Sequence, residues 1–365
     1  TMVKRLLQQH AKTMDTPNDW VYVNNFQNQR QPLALELPPG QAPKFQAMLN
    51  QSWQTILKQL ERRFTAESYH NRIEMIRQET GDEQQQALIE LTKEGAELDL
   101  KLISRHDEHC FVPVHLIDDK LQEMSQEDLN ALSNKDRAEL ASNMRYMDKK
   151  LERLGLHLGD LEDDARDRVQ VLNRDIAKQV VLPRVEQILA KFKHVEGLEN
   201  YLKYYAEDII NNVEIVLEQE EDDFTPALFS RVPARYQANV IITHKPNSGA
   251  PVIFEDFPTH YNLLGHVEQL TQNGTITTDF TLIRPGSLHK ANGGFLMLEA
   301  EQLLEQPYAW QGLKRALKSG HLKLSSLEHM ITLTGSISIE PASIPLNIKV
   351  ILLSEPEIYY EILQL

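Results

Sequence analysis

Residues 286–304 read GSLHKANGGFLMLEAEQLL. Inside this stretch the glycine pair Gly293-Gly294 opens a four-residue apolar run, Phe295-Leu296-Met297-Leu298, and the run ends on Glu299. An unbroken apolar tetrapeptide closed by an acid predicts a buried strand that delivers a carboxylate to the edge of a sheet. Many buried strands leave a core in this way, so the neighbouring residues have to decide what the strand belongs to.

In nucleotide-hydrolysing AAA+ domains the Walker B strand has this shape: apolar residues, then Asp-Glu, the first acid helping to hold Mg²⁺ and the second polarising the attacking water. Here the second acid's place is taken by Ala300. Residues 262–304, NLLGHVEQLTQNGTITTDFTLIRPGSLHKANGGFLMLEAEQLL, resemble Lon-family ATP-dependent proteases, in which an LLG-x-V segment, a turn, an RPG-x-[IL]-H-[RK]-AN-x-G stretch and the Walker B strand follow in this order. DWVYVNNF at 19–26, APVIFED at 250–256, TDFTLIRPG at 278–286 and IPLNIKVILLSEPEIYY at 344–360 extend the resemblance over the chain, towards the bacterial Lon-related branch.

The resemblance implies a discontinuous α/β AAA+ (P-loop NTPase-like) subdomain interrupted by a large all-α coiled-coil insertion with a small β-hairpin. The expected boundaries are 1–40 for the first AAA+ part, 41–235 for the insertion and 236–365 for the second AAA+ part, from the Walker B-like strand to the sensor-1 strand. Residues 20–23 and 295–298 are expected side by side, or nearly so, in one sheet. By the same resemblance the intact protein is a cytoplasmic, ATP- and Mg²⁺-dependent serine endopeptidase, a homo-oligomeric ring that unfolds protein substrates for a peptidase domain outside this sequence. The chain then reads as an internal fragment, inactive alone. A degenerate, non-hydrolysing module for oligomerisation and partner binding is the competing class.

Composition bounds these readings. The chain has 365 residues, a formal net charge of −15, 41% hydrophobic and 25% charged residues, which is an ordinary globular composition for about two domains. Without a dense basic block, nucleic acid is disfavoured as a partner, because phosphate binding needs clustered Lys and Arg. Cys110 is the single cysteine, which excludes an intramolecular disulfide and accords with a reducing compartment. No apolar run is long enough to span a membrane.

A helix is expected over 2–14 and a short strand over 20–23. No G-x-x-x-x-G-K-[ST] motif occurs in the sequence, so no phosphate-cradling loop is expected within it. Leu140, Met144, Met147, Leu151, Leu154, Leu158 and Leu161 are spaced alternately four and three, a heptad seam that predicts an antiparallel coiled coil against 45–76 or 84–91. Gly155 and Gly159 interrupt it and are expected to mark a bend. A hairpin is expected from 96–103 and 110–116, with HDEHC at 106–110 as a polar turn and no metal site. The acidic run at 218–223 reads as a solvated linker. Beyond it, strands are expected over 239–243, 251–254, 275–282, 295–298, 349–353 and a pair within 322–339, with helices over 261–270 and 309–318.

Among candidate site residues, Glu299 is the nucleotide-proximal acid. Its side chain is one methylene longer than the usual Asp, and Ala300 cannot orient water. Glu355, after the strand that should carry sensor 1, stands where Asn is usual and repels phosphate. Glu255 and Asp256 form a second strand-then-acid pair, read as structural. Asn273, Gly274 and Phe280 lie where ring ATPases place a loop that grips unfolded polypeptide, although core packing is the simpler account of Phe280. Arg284 and His289 flank the Walker B-like strand. Ser287 and Lys290 match S-x-x-K by chance, the serine belonging to the RPG-x-[IL]-H turn, so no catalytic residue is assigned in this chain.

Overall fold

The computed structural model describes residues 2–105, 108–117, 120–218, 232–272, 275–324 and 339–357. In chain order the first elements are α1 (Met2–Ala11), β1 (Asp19–Val23), β2 (Leu33–Leu37), α2 (Ala42–Phe64), α3 (Glu67–Glu97), β3 (Leu100–Arg105), β4 (Glu108–Ile117) and β5 (Lys120–Glu123). Four helices follow: α4 (Gln126–Ala131), the 58-residue α5 (Asn134–Lys191), α6 (Leu198–Asn211) and α7 (Val213–Glu218). The chain continues through β6 (Ala238–Ile242), β7 (Val252–Glu255), α8 (His260–Leu264), β8 (His266–Val267), β9 (Leu270–Gln272), β10 (Thr275–Thr277) and β11 (Ile283–Arg284). It closes with α9 (Ser287–Lys290), β12 (Phe295–Glu299), α10 (Ala300–Glu305), α11 (Ala309–Ser319), β13 (His321–Leu322), β14 (Ile344–Pro345) and β15 (Lys349–Leu353). These elements form two compact units, residues 1–60 with 177–365, and residues 61–176; both boundaries fall inside helices, α2 and α5.

In the first unit the quoted strand is the centre of a three-stranded parallel sheet of order β15-β12-β7. Alternation along the pleat sends its residues to two faces. Leu296 and Leu298 of β12, Ile253 of β7 and Val350 and Leu352 of β15 face the main core, where Leu263, Leu288, Leu303 and Leu313 pack. On the opposite face Phe295, Val252 and Ile351 meet Leu7 and Ala11 of α1 together with Met14 and Ala250. Burial on both faces explains why β12 reads as a continuous apolar run and not as an alternating one.

Trp20 to Val23 do not lie in that sheet. The strand β1 uses both its hydrogen-bonding edges in a separate antiparallel sheet, order β2-β1-β6, so no edge remains for β12. The expectation of one continuous sheet is corrected to two sheets whose side chains share a core: Trp20 and Tyr22 belong to the same buried cluster as Leu296 and Leu298. The first helix, expected over 2–14, ends at Ala11, and the expected helix over 261–270 stops at Leu264, because Gly265 turns the chain with φ 80° into β8. Residues 275–282 are not one strand either; β10 is followed by a single 3-10 turn, Phe280–Leu282, capped by Asp279. Of the strand pair expected within 322–339, only β13 is seen, and 325–338 lie outside the described residues, as does most of the acidic run at 218–223.

The second unit is a helical arm with a small sheet. Along α3, Tyr69, Glu79 and Glu94 find partners in Asn173, Arg168 and Lys150 of α5; partner numbers fall as α3 advances, so the two helices run antiparallel. That fixes α3 as the coiled-coil partner. The expected participation of 45–60 is corrected: Phe45 and Trp53 of α2 pack instead in the first unit, against Phe192 and Tyr236. Part of the heptad seam is also redirected. Leu140, Met144, Met147, Leu151 and Leu154 cluster with Leu91, Leu100 and Phe111, so one end of the seam packs on the sheet as well as on a helix. The sheet has three strands, order β3-β4-β5, one more than the hairpin expected.

Gly155 and Gly159 lie within the unbroken α5, and a Cβ added at either meets nothing within 4 Å. They neither end the helix nor admit a close neighbour. Each therefore weakens the helix by about 1 kcal/mol relative to alanine. Gly155→Ala with Gly159→Ala is expected to raise stability by roughly 1–2 kcal/mol in urea unfolding; a loss of stability would show a packing role the structure does not contain.

Candidate functional site

The carboxyl ends of β7, β12 and β15 lie side by side, because the three strands are parallel and in register, Leu298 opposite Glu255 and Glu299 opposite Leu353. This edge carries Glu255, Glu299 and, just past β15, Ser354 and Glu355. Crevices outside the carboxyl ends of parallel strands are where open α/β sheets bind ligands.

The three positions differ in how far their side chains are committed. Glu255 is tied down: the Ser287 hydroxyl lies 2.9 Å from its Oε2 and 2.7 Å from the Asn262 carbonyl, while the Phe257 N–H donates to its Oε1 at 3.3 Å. The helix that follows is capped by Thr259 and not by the acid, since the Asn262 N–H donates to the threonine hydroxyl at 3.1 Å. Glu255 thus fastens the turn leaving β7 to the start of α9. Glu299 is half-buried at the last position of β12 and precedes the first turn of α10. Glu355 is exposed. Ala300 is 1% exposed and opens α10, so the position expected to carry a water-orienting acid is packed into the core.

Around this edge the flanking residues are structural. Ser287 is 1% exposed and Lys290 is exposed on the same short helix, so the S-x-x-K match brings no nucleophile to a base. Arg284 pairs with Glu268 at 2.7 Å. Phe280 is 4% exposed within the main core, with Asn239 donating to its carbonyl at 2.8 Å; Asn273 and Gly274 lie outside the described residues. At the tip of the arm, His106 lies outside the described residues, and among the described residues no three His, Cys, Asp or Glu gather as a metal site.

His289 is fully buried, and the Gly286 N–H donates to its Nδ1 at 3.3 Å. Burial pushes the imidazole down to about 4, so it is neutral at pH 7, with the proton on Nε2. Unfolding returns the group to its ordinary value near 6.5, and the unfolded chain therefore binds more protons between those two values. Stability conferred by this residue is complete above pH 6.5 and is lost as the pH falls towards 4. Between pH 7 and 4.5 the loss is roughly 2 kcal/mol. His289→Asn keeps an acceptor for the Gly286 N–H and is expected to flatten this part of the stability profile; an unchanged slope would contradict the assignment.

Comparison with known proteins gives two matched stretches, both within the first unit. Residues 248–365, which hold β7, β12 and β15, match the family model for the LonB-like AAA domain, and residues 19–52 match that for the Lon-like LonC helical domain. The chain is Lon-related. Over 106 residues it is 33% identical to the putative Lon protease homolog of Escherichia coli (strain K12), an alignment that spans 29% of this chain and 16% of that relative. The LonB-like match begins just before β7, so the parallel sheet of this Lon-related chain lies wholly within an AAA domain, a nucleotide-binding fold. Its LonC-like match covers β1, β2 and the first part of α2, straddling residue 40, where the helical insertion is expected to begin. Among the described residues no helix is long and apolar enough to cross a membrane.

A Mg²⁺ ion is commonly held by one or two carboxylates together with phosphate oxygens and water. At this edge Glu299, and Glu355 two residues beyond its neighbour in register, are residues of that type. They do not supply a phosphate cradle, since residues 1–365 contain no phosphate-loop motif. What sequence reasoning missed here is the Ser287–Glu255 link, which joins positions 32 residues apart, and the caps at Thr259 and His289.

Proposed function

We propose that this chain is the AAA+ module, with its helical arm, of a Lon-like ATP-dependent protease, and that the carboxyl edge of β7, β12 and β15 faces the nucleotide. The observation that carries the reading is the uncommitted carboxylate of Glu299 at the end of the central, doubly covered parallel strand. Glu299 holds Mg²⁺ in this reading; Glu255 positions the turn behind it. ATP with Mg²⁺ supplies phosphoryl-transfer chemistry when bound, and the chain's own residues shape and orient the edge. Val350 to Leu353 are half-buried on β15, an edge strand among the described residues, which suits the addition of a further strand on that side. The arm of α3 and α5 serves protein-substrate engagement, and the intact protein assembles as a homo-oligomeric ring that feeds a serine peptidase; Asn273 and Gly274 are the proposed contact with unfolded polypeptide. The first AAA+ part is proposed as 1–40 and the second as 236–365, in a cytoplasmic protein.

A second reading is favoured by a specific observation. With Ala300 buried and Glu355 exposed beside the edge, the module binds nucleotide without hydrolysing it and acts in oligomerisation and partner binding. ATP turnover by the intact protein separates the two. Magnesium-dependent hydrolysis stimulated by an unfolded protein supports the protease reading; binding without turnover supports the second.

A further inference from the structure

We propose that the groove between α3 and α5 in the helical arm binds polypeptide segments that combine apolar side chains with Lys or Arg. That its occupant belongs to a protein substrate rests on the reading of the arm given above; the binding chemistry comes from the arm itself. The groove has a volume of about 670 Å³, and its apolar lining is Leu88 of α3 with Leu151, Leu154 and Leu158 of α5. That volume falls within the roughly 300–1,000 Å³ of ligand clefts.

The groove follows from a change of partner along the heptad seam. Leu151 and Leu154 pack against the cluster that holds Leu100 and Phe111 of the small sheet. Farther along, α5 is tied to α3 through Arg168 with Glu79 and Asn173 with Tyr69. Between these two supports the four leucines stay half-buried, so an apolar ligand that covers them removes their remaining surface from water.

Gly155 shares the lining. A glycine inside a helix costs about 1 kcal/mol relative to alanine, and the packing of the arm does not require this one, since an added Cβ meets no atom within 4 Å. The space such a Cβ enters belongs to the groove, and leaving it free lets the backbone of a ligand approach the helix closely. Gly159, one turn farther on, extends the same stripe of α5.

Charge selects the occupant. Asp148 and Glu152 are exposed in the lining, while Lys150 between them is held by Glu94. Over residues 61–176 the sequence has 27 Asp and Glu against 17 Lys and Arg, so the arm carries −10 of the chain's −15. A field of this sign steers cationic segments to the groove and disfavours acidic ones.

The test is titration of the whole chain with a fluorescein-labelled peptide of alternating Leu and Arg, read by anisotropy. Peptides with Glu in place of Arg and with Ser in place of Leu are the controls, and reduced, alkylated lysozyme is the unfolded protein. Saturable binding of the Leu/Arg peptide is expected, with both controls about tenfold weaker or more. Gly155→Gln places a side chain in the groove and is expected to weaken the Leu/Arg peptide about tenfold without lowering stability in urea, because it removes a helical glycine. Asp148→Lys with Glu152→Lys is expected to narrow or reverse the preference for Arg over Glu peptides. Equal affinity of Gly155→Gln and the wild type for the Leu/Arg peptide, or equal binding of the Ser/Arg peptide, overturns the proposal. So does a concentration-dependent dimer that Gly155→Gln abolishes, which would make a second copy of the arm the occupant. Peptide and lysozyme binding that both ignore these variants overturn the groove and leave the arm's role in substrate engagement standing. Peptide binding that follows the variants, with no binding of lysozyme, supports the groove and contradicts that role.

Discussion

Gly294→Ala is expected to abolish the native fold of the first unit at 37 °C. A Cβ at this position would sit 2.1 Å from the Pro251 carbonyl oxygen and 2.7 Å from Pro251 Cδ. The same carbonyl accepts the Phe295 N–H at 2.8 Å, the bond that sets β12 against β7. Backbone cannot step aside here without losing that bond and the parallel register beyond it. The neighbouring Gly293 is held at φ 79°, a region that residues with a Cβ enter only at a cost. A loss on the order of 4 kcal/mol or more is expected, comparable to much of a typical domain's stability. Circular dichroism during urea unfolding measures it, and a loss below about 1 kcal/mol would mean that the two strands approach less closely than described.

The second large effect is expected at Asp19, which is fully buried at the start of β1. Its Oδ2 accepts the Ala42 N–H at 2.9 Å and the Thr243 hydroxyl at 3.1 Å, and its Oδ1 accepts the His244 N–H at 2.9 Å. One carboxylate therefore satisfies the first residue of α2, where the helix dipole also favours negative charge, and fastens the end of β6. Asp19→Ala strands three donors and is expected to cost roughly 3–5 kcal/mol. Asp19→Asn keeps the shape and part of the bonding and is expected to cost about half as much. Equal stability of Asp19→Ala and the wild type would refute the linking role.

Both residues show what can be read from the chain in advance. The glycine pair, the apolar run and the closing acid announce β12 because a strand covered on both faces must be apolar at every position. The spacing of Leu140, Met144, Met147 and Leu151 announces α5, since period is a local property. Pairing is not local. Nothing near Trp20 shows that β1 spends both its edges on β2 and β6, and the one-sheet expectation failed there. The Met147 region reads as helix seam whether its partner is a helix or a sheet, because both offer an apolar surface. Asp19 is an acid before an apolar strand, and its two partners at 243–244 become visible only when β6 is placed.

The most direct test of the account is the affinity of the intact protein for Mg²⁺-ATP, compared with that of its Glu299→Gln variant by a fluorescent nucleotide titration with and without magnesium. The substitution is nearly isosteric, at a half-buried position with no hydrogen bond to the rest of the chain that the fold depends on. An affinity at least tenfold weaker in the variant, with the difference vanishing when magnesium is withheld, is what a nucleotide-facing sheet edge predicts. Equal affinities of wild type and variant in magnesium would place the nucleotide elsewhere and contradict the account.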